Sequence, residues 1–340
     1  MLTKDEKLAQ LKLTLDEKIK RTKELILEWY LQYNGQVYVA YSGGKDSTVL
    51  LHIARSIKTC ADIPAVFVDT GLEYPEIREH VKNTENVVWV KPKYTFKQVL
   101  EKYGYPIISK EQSRYLYDMR HSKSEKLKDV RLNGRLLANG KRGKMSTLSR
   151  KWRPLIDADF EISNKCCDVM KKNPSKQYSK ESGKKPIVGT MAVESKLRWN
   201  RYLIGNCNAF SDKHPESKPL SFWTEQDILE YILRFNLKIP SVYGDIVRGD
   251  DGLLRTTKCQ RTGCMFCMYG LHLEAHPNRF EIMKETHPKQ YAYCMDKLGL
   301  RHVIEEYGKA AGKELIKDDA CRQDQKGIYK EENDGQLSLF

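Results

Sequence analysis

Residues 42–47 read S-G-G-K-D-S and directly follow V-Y-V-A-Y at 37–41, and this pairing constrains the fold more than any other stretch of the chain. A short β-branched and aromatic run leads into two glycines and then a helical run beginning at Ser47. Such a turn aims successive backbone N–H groups outward at a helix N-terminus, where unpaired amides and the helix dipole favour an oxyanion. Gly43 and Gly44 let the backbone come close to a ligand without a Cβ in the way. Lys45 adds a point charge for a phosphate, and Ser42 and Ser47 add hydroxyl donors. The bland alternative is an ordinary strand-to-helix turn that happens to hold two glycines. Further apolar runs at 65–68, 87–90 and 187–189 alternate with helical stretches, which implies βαβ crossovers and a parallel sheet.

The hexapeptide resembles the PP-loop of the ATP pyrophosphatases and adenylyl-sulfate reductases; the G-x-x-x-x-G-K-[ST] spacing of a Walker A loop is missing. Two more stretches narrow the resemblance to the phosphoadenylyl-sulfate (PAPS) reductase family. D-T-G-L-E-Y-P-E at 69–76 is similar to the family's D-T-G-x-x-x-P-E. I-V-G-T-M-A-V-E-S-K-L-R at 187–198 is similar to G-x-R-x-x-E-S-x-x-R, with Met191 standing where the family usually has arginine. The resemblance runs from about residue 35 to 270. It implies an α/β fold: a doubly wound parallel sheet of the PP-loop (adenine nucleotide alpha-hydrolase-like) type, with an N-terminal helix and a smaller helical C-terminal region. It also implies an adenine nucleotide, either ATP split to AMP and pyrophosphate or an adenylyl sulfonucleotide. The nucleotide would touch Ser42, Gly43, Gly44, Lys45, Asp46, Ser47, Asp69, Thr70, Gly71, Glu194 and Arg198. Lys45, Asp46 and Asp69 are the catalytic candidates, with Mg²⁺ bridging the phosphates.

Nine cysteines without a secretory signal or apolar span do not suggest a disulfide framework. Cys166 and Cys167 are adjacent, and K-C-Q-R-T-G-C-M-F-C later supplies Cys259, Cys264 and Cys267. Lys258 and Arg261 lie close enough in sequence to help keep thiolates deprotonated. Four thiolates suit zinc or a [4Fe–4S] cluster, and spacing alone does not separate them. The pattern is similar to that of the iron–sulfur adenylyl-sulfate reductases, which implies a [4Fe–4S] cluster on Cys166, Cys167, Cys264 and Cys267, with Cys259 in reserve. Those reductases also carry a nucleophilic cysteine in E-C-G-[IL]-H; here the tail offers only Cys321 in D-D-A-C-R-Q.

The chain ends Q-L-S-L-F, which resembles the peptide by which bacterial replication and repair proteins bind the sliding clamp. Gln336, Leu337, Leu339 and Phe340 would be the anchors, presented behind a polar linker. Net charge is +14, and residues 110–153 hold fourteen Lys/Arg against four Asp/Glu. Arg114, Tyr115, Tyr117, Arg120, Lys141, Arg142, Lys144, Arg150, Trp152 and Arg153 mix cations with stacking surfaces in a way that suits a phosphate backbone. A solvated insertion or a lid over the nucleotide would look the same.

The expected organisation is an N-terminal helical segment (1–34) and a PP-loop domain (35–214) with a basic insertion at about 110–160. A helical region with C-x-x-C (215–317) and a polar tail (318–340) follow. The reading that gathers these signals is a cytoplasmic, iron–sulfur, ATP-dependent sulfur transferase acting on nucleic acid and recruited by the clamp. A cysteine desulfurase or thioredoxin is an expected helper, and no membrane is involved. The alternatives are a sulfonucleotide reductase releasing sulfite, and a non-catalytic clamp-bound DNA accessory protein.

Overall fold

The computed structural model describes residues 3–210 and 214–317. Cys321 and the clamp-like residues Gln336, Leu337, Leu339 and Phe340 lie outside the described residues. The chain divides into two compact units, each made of two stretches: Met1–Val99 with Lys165–Met265, and Leu100–Asn164 with Phe266–Phe340.

The first unit is built on a six-stranded sheet. Its spatial order is Val87–Val90, Ala65–Val68, Val37–Ala40, Lys185–Val188, Glu216–Ser217 and Asn208–Ala209. Every pairing is parallel except the last, between Asn208–Ala209 and Glu216–Ser217. The mixed α/β class with a parallel-dominated sheet is the one expected from the alternating apolar runs. The central strand Val37–Ala40 is buried on both faces, as a strand covered by helices should be. Chain order reverses beside it, because Ala65–Val68 lies on one side and the much later Lys185–Val188 on the other. A reversal of that kind leaves a crevice at the strands' carboxyl ends, where α/β sheets bind ligands.

Two helices, Lys4–Leu11 and Leu15–Gln32, form the N-terminus, where the apolar spacing alone suggests one. The break has a local cause. Thr14 accepts from the Glu17 amide while the Glu17 carboxylate accepts from the Thr14 amide, a capping box that starts a new helix. The second helix buries Leu25, Ile26 and Trp29 in the core with Phe67, Phe222, Trp223 and Tyr231. Polar ties fix its register: Trp223 Nε1 donates to Thr22 Oγ1 at 2.9 Å, and Lys18 Nζ meets Asp227 Oδ2 at 2.7 Å. Asp227 also closes a capping box on Thr224, so the helix Glu225–Arg234 starts where T-E-Q-D places it and buries Ile228, Tyr231 and Ile232.

The second unit is mainly helical. Its helices include Lys110–His121, Glu125–Asn133, Arg279–Thr286 and Leu300–Ala311, with a short parallel pairing of Ile107–Ile108 and Met268–Tyr269. The basic insertion falls here. Trp152 and Tyr115, expected as stacking surfaces, are instead core residues at 2% and 4% exposure. Trp152 packs edge-on to His272 and beside Tyr307. Several expected surface cations are structural too. Arg120 is tied to the Phe160 and Ala158 carbonyls, and Arg153 to the Leu132 carbonyl. Charge counting treats every Lys and Arg as exposed, whereas these guanidiniums satisfy carbonyls where the chain is irregular. No described helix is long and apolar enough to cross a membrane.

Candidate nucleotide site

The loop at 42–47 follows strand Val37–Ala40 and leads directly into helix Lys45–Arg55. Gly43 sits at φ +73, and a Cβ there would lie 2.5 Å from Val81 Cγ2. Gly44 is the N-cap and contributes no side-chain cap to the first turn. The serines brace the loop internally. Ser42 N donates to Ser47 Oγ at 3.2 Å, the two hydroxyls lie 3.1 Å apart, and Ser47 Oγ donates to the Gly44 carbonyl at 2.9 Å. The structure thus gives Ser42 and Ser47 a positioning role alongside the donor role expected of them.

Lys45 is only 2% exposed. Its ammonium donates to the Gln260 carbonyl at 2.8 Å and lies 3.1 Å from Glu225 Oε1 and 3.7 Å from Asp46 Oδ1. Its backbone amide donates to the Tyr243 hydroxyl at 3.3 Å, and that hydroxyl pairs with Thr262 Oγ1 at 2.6 Å. The chain's own groups therefore engage both phosphate-seeking donors of Lys45. Tyr243, Glu225, Gln260 and Thr262 are site residues that the sequence reading passed over as helix packing or spacer. A nucleotide phosphate has to take the amide from Tyr243. Tyr243→Phe removes that competitor, so nucleotide affinity is expected to rise by about threefold, the worth of a weak neutral hydrogen bond. Calorimetric titration with ATP checks it, and an unchanged or weaker affinity would refute the competition.

Asp46 faces the same point. Its side chain is partly exposed, yet Oδ1 is buried and accepts no hydrogen bond. Burial holds its carboxyl above the usual carboxylate range; Lys45 opposes this, while Glu225 and Glu194 add to it. An orphaned carboxylate oxygen beside a phosphate loop suits Mg²⁺, which would neutralise nucleotide phosphate charge there. The sign of the linkage follows. Because the folded pKa is raised, ionised Asp46 costs stability above that pKa, and the cost disappears as pH falls through it. Asp46→Asn is accordingly expected to raise the melting temperature at pH 7 by roughly 2–4 °C, the effect of about 1 kcal/mol on a unit of this size. The gain should shrink toward pH 4 in thermal scans, while Mg²⁺–nucleotide affinity falls.

Asp69, Thr70 and Gly71 follow strand Ala65–Val68, at the same end of the sheet as the loop. Asp69 is buried and bound by Arg78 at 2.8 Å. Thr70 donates from its amide and hydroxyl to Glu73, and Gly71 is at φ +74 with open space around it. Glu194 and Arg198 follow strand Lys185–Val188 and pair with each other, while Glu194 also accepts from the Met191 amide at 2.9 Å. Met191 itself is buried, so this chain fills the position with packing rather than charge.

The cysteines gather in part. Cys166 and Cys167 immediately precede a π-helical turn, Asp168–Lys172, a geometry frequent at functional sites. Lys171 on that turn lies near Cys264, Cys167 and Glu73; burial alone would lower its pKa, but Cys264 and Glu73 outweigh burial and raise it. Lys171 is thus a cation beside these sulfurs that the sequence reading did not single out. Cys267 belongs to the second unit, where its carbonyl accepts from Arg279. Cys259 Sγ is directed at the Arg261 carbonyl at 2.8 Å. No group of three or more His, Cys, Asp or Glu among the described residues is arranged to hold a metal ion. Cys60 and Cys207 are pushed up to about 11 and Cys294 to about 12 by burial, as suits inert core thiols.

The chain is similar in part to several known proteins. A 241-residue stretch is 23% identical to an uncharacterized protein of Methanocaldococcus jannaschii, covering 70% of this chain and 37% of that one. A stretch of 86 residues is 30% identical to an adenosine 5'-phosphosulfate reductase of Bacillus cytotoxicus, covering 23% and 36%. The chain thus spans little more than a third of the length of either relative. Among solved structures, the PAPS reductase of Candida auris matches at 14% identity and a TM-score of 0.37, covering 67% of this chain and 88% of that one. The FMN adenylyltransferase of Candida glabrata matches at 13% identity and 0.37, covering 71% and 65%. The model of the phosphoadenosine phosphosulfate reductase domain matches residues 36–163 and 109–269, a span that takes in the loop at 42–47, the D-T-G turn and both clusters of cysteines, and by that match the chain belongs to the family.

Proposed function

We infer that this protein binds an adenine nucleotide at residues 42–47 and uses it in sulfur chemistry, with ATP split to AMP and pyrophosphate and sulfur delivered to nucleic acid. The observation that carries the nucleotide is the N-terminus of helix Lys45–Arg55, which has a glycine in place of a capping side chain, with Lys45 and the orphaned Asp46 oxygen beside it. On this reading, Lys45 and the loop amides hold the phosphates, and Asp69, paired with Arg78, lies near the nucleotide. Lys171 steadies the sulfur of Cys264. The nucleic-acid acceptor and recruitment by a sliding clamp rest on the charge of residues 110–153 and on the terminal Q-L-S-L-F.

A sulfonucleotide reductase is the second reading, favoured by the similarity to the Bacillus cytotoxicus enzyme. The cysteine pattern implies a [4Fe–4S] cluster, or zinc, in either case. Metal and acid-labile sulfide analysis of anaerobically purified protein decides that point without an activity measurement. The test of function is a product assay with ATP, and separately with adenylyl sulfate or PAPS plus thioredoxin, each with and without DNA. AMP and pyrophosphate that rise with DNA support the first reading. Sulfite release indifferent to DNA replaces it with the second.

A further inference from the structure

We propose that the hairpin formed by Arg135–Leu136 and Arg142–Gly143 is a nucleic-acid reading element that enters a groove of duplex nucleic acid, its cations on the flanking phosphates. The proposal rests on the nucleic-acid reading above and says which residues and which form of nucleic acid it involves.

Two-stranded ribbons this short are marginal in water on their own, and this one is held at its base by dedicated contacts. Helix Glu125–Asn133 ends on Gly134 at φ +87, where a Cβ would fall 2.0 Å from the Gly143 carbonyl oxygen. Only glycine lets the two ends of the hairpin approach that closely. Arg142 Nη1 donates to Asp129 at 2.5 Å and to the Gly134 carbonyl at 3.0 Å. Buried Arg131 grips Asp118 at 2.7 Å and the Ser146 carbonyl at 3.0 Å, lying 4.0 Å over the Tyr115 ring. The turn is closed by Leu137 N on Lys141 O at 2.9 Å and Gly140 N on Leu137 O at 3.0 Å.

What this base presents is not explained by folding. Leu136 is 63% exposed and Met145 85%, with Leu137 exposed between them. Arg135, Lys141 and Lys144 are exposed alongside, and none of the three makes an ion pair with a described residue. Apolar side chains flanked by unpaired cations on a braced ribbon match the chemistry of a groove binder: cations on phosphate, aliphatic wedges against bases. A major groove is wide enough to admit a two-stranded ribbon. Duplex is favoured over single strand because single-strand platforms stack bases on aromatic rings, whereas Tyr115 and Trp152 are buried and the half-buried Tyr117 is already stacked on His121 at 4.2 Å. Arg142, engaged at the base, is excluded from the contact set.

The experiment is fluorescence anisotropy of the full chain with a labelled 30-base-pair DNA duplex across a salt series. The variants are Arg135→Ala/Lys141→Ala/Lys144→Ala and Leu136→Ser alone. Losing three phosphate contacts should make the slope of log affinity against log salt shallower by about 2–3, and binding at 100 mM salt at least tenfold weaker. Leu136→Ser should weaken binding with the slope unchanged. Both variants should keep wild-type affinity for ATP, which reports that the first unit is intact, and wild-type circular dichroism. Wild-type duplex binding by the triple variant overturns the hairpin and leaves the nucleic-acid reading standing. Absence of duplex binding by the wild type overturns both. Tighter binding to single strands, or binding to anionic phosphatidylglycerol vesicles and not to duplex, overturns the duplex assignment.

Discussion

Lys45→Ala is expected to weaken ATP binding by about 10- to 100-fold, because a charge-assisted hydrogen bond to phosphate is worth about 1.5–3 kcal/mol. The same substitution should also destabilise the protein. Lys45 lies against Glu225 and Asp46, and its loss leaves two carboxylates facing each other with the Gln260 carbonyl undonated. Removing one partner of a fully buried ion pair costs about 3–5 kcal/mol. Here the carboxylates are about a third exposed (33% for Glu225 and 29% for Asp46), so water screens them and about 1–2 kcal/mol is the reasonable figure. The two effects separate on addition of Glu225→Gln. The double variant should recover most of the stability and none of the affinity. Calorimetric titration and urea unfolding read the two quantities independently. ATP affinity within threefold of wild type would show that this loop does not hold the phosphates.

That separation shows what the chain discloses locally and what it hides. The loop, its flanking strand and its helix lie within twenty consecutive residues, so glycine placement and apolar runs reveal them. The Thr224–Asp227 cap is equally local. The groups that engage Lys45 are not. Tyr243 reaches its amide across 198 residues and Gln260 its ammonium across 215, and no pattern in a single sequence ties such positions together. Lys171 was visible as one of several basic residues after the cysteine doublet; what singles it out is the π-helical turn that presents it beside Cys264. The error over Trp152 and Tyr115 has the same origin. A residue's type suggests what it can do, but burial decides whether anything outside the protein can reach it. In the basic insertion Tyr115 and Trp152 went inward, and aliphatic residues were left exposed on the hairpin.

Gly43→Ala is expected to cost about 2–5 kcal/mol of stability and to weaken nucleotide binding at least tenfold. Two independent penalties act there. At φ +73 an L-residue is strained by roughly 1–2 kcal/mol. The added Cβ would also lie 2.5 Å from Val81 Cγ2 and 2.9 Å from Ile77 Cγ2, and overpacking of that kind costs a further ~1–3 kcal/mol. Gly71→Ala isolates the first penalty. Gly71 has nearly the same angle, φ +74, but nothing lies within 4 Å of the position its Cβ would take. It should therefore lose only about 1–2 kcal/mol, the strain alone. Urea unfolding followed by tryptophan fluorescence suits the comparison, since Trp29, Trp89, Trp199 and Trp223 all belong to the first unit. Equal losses at the two glycines would mean that helix Pro75–Lys82, which carries Ile77 and Val81, yields to the loop. The phosphate cradle would then be shaped by backbone preference alone, and ATP affinity would survive Gly43→Ala. A larger loss at Gly43, accompanied by weak binding, would instead show that the helix behind the loop holds its amides where a phosphate needs them.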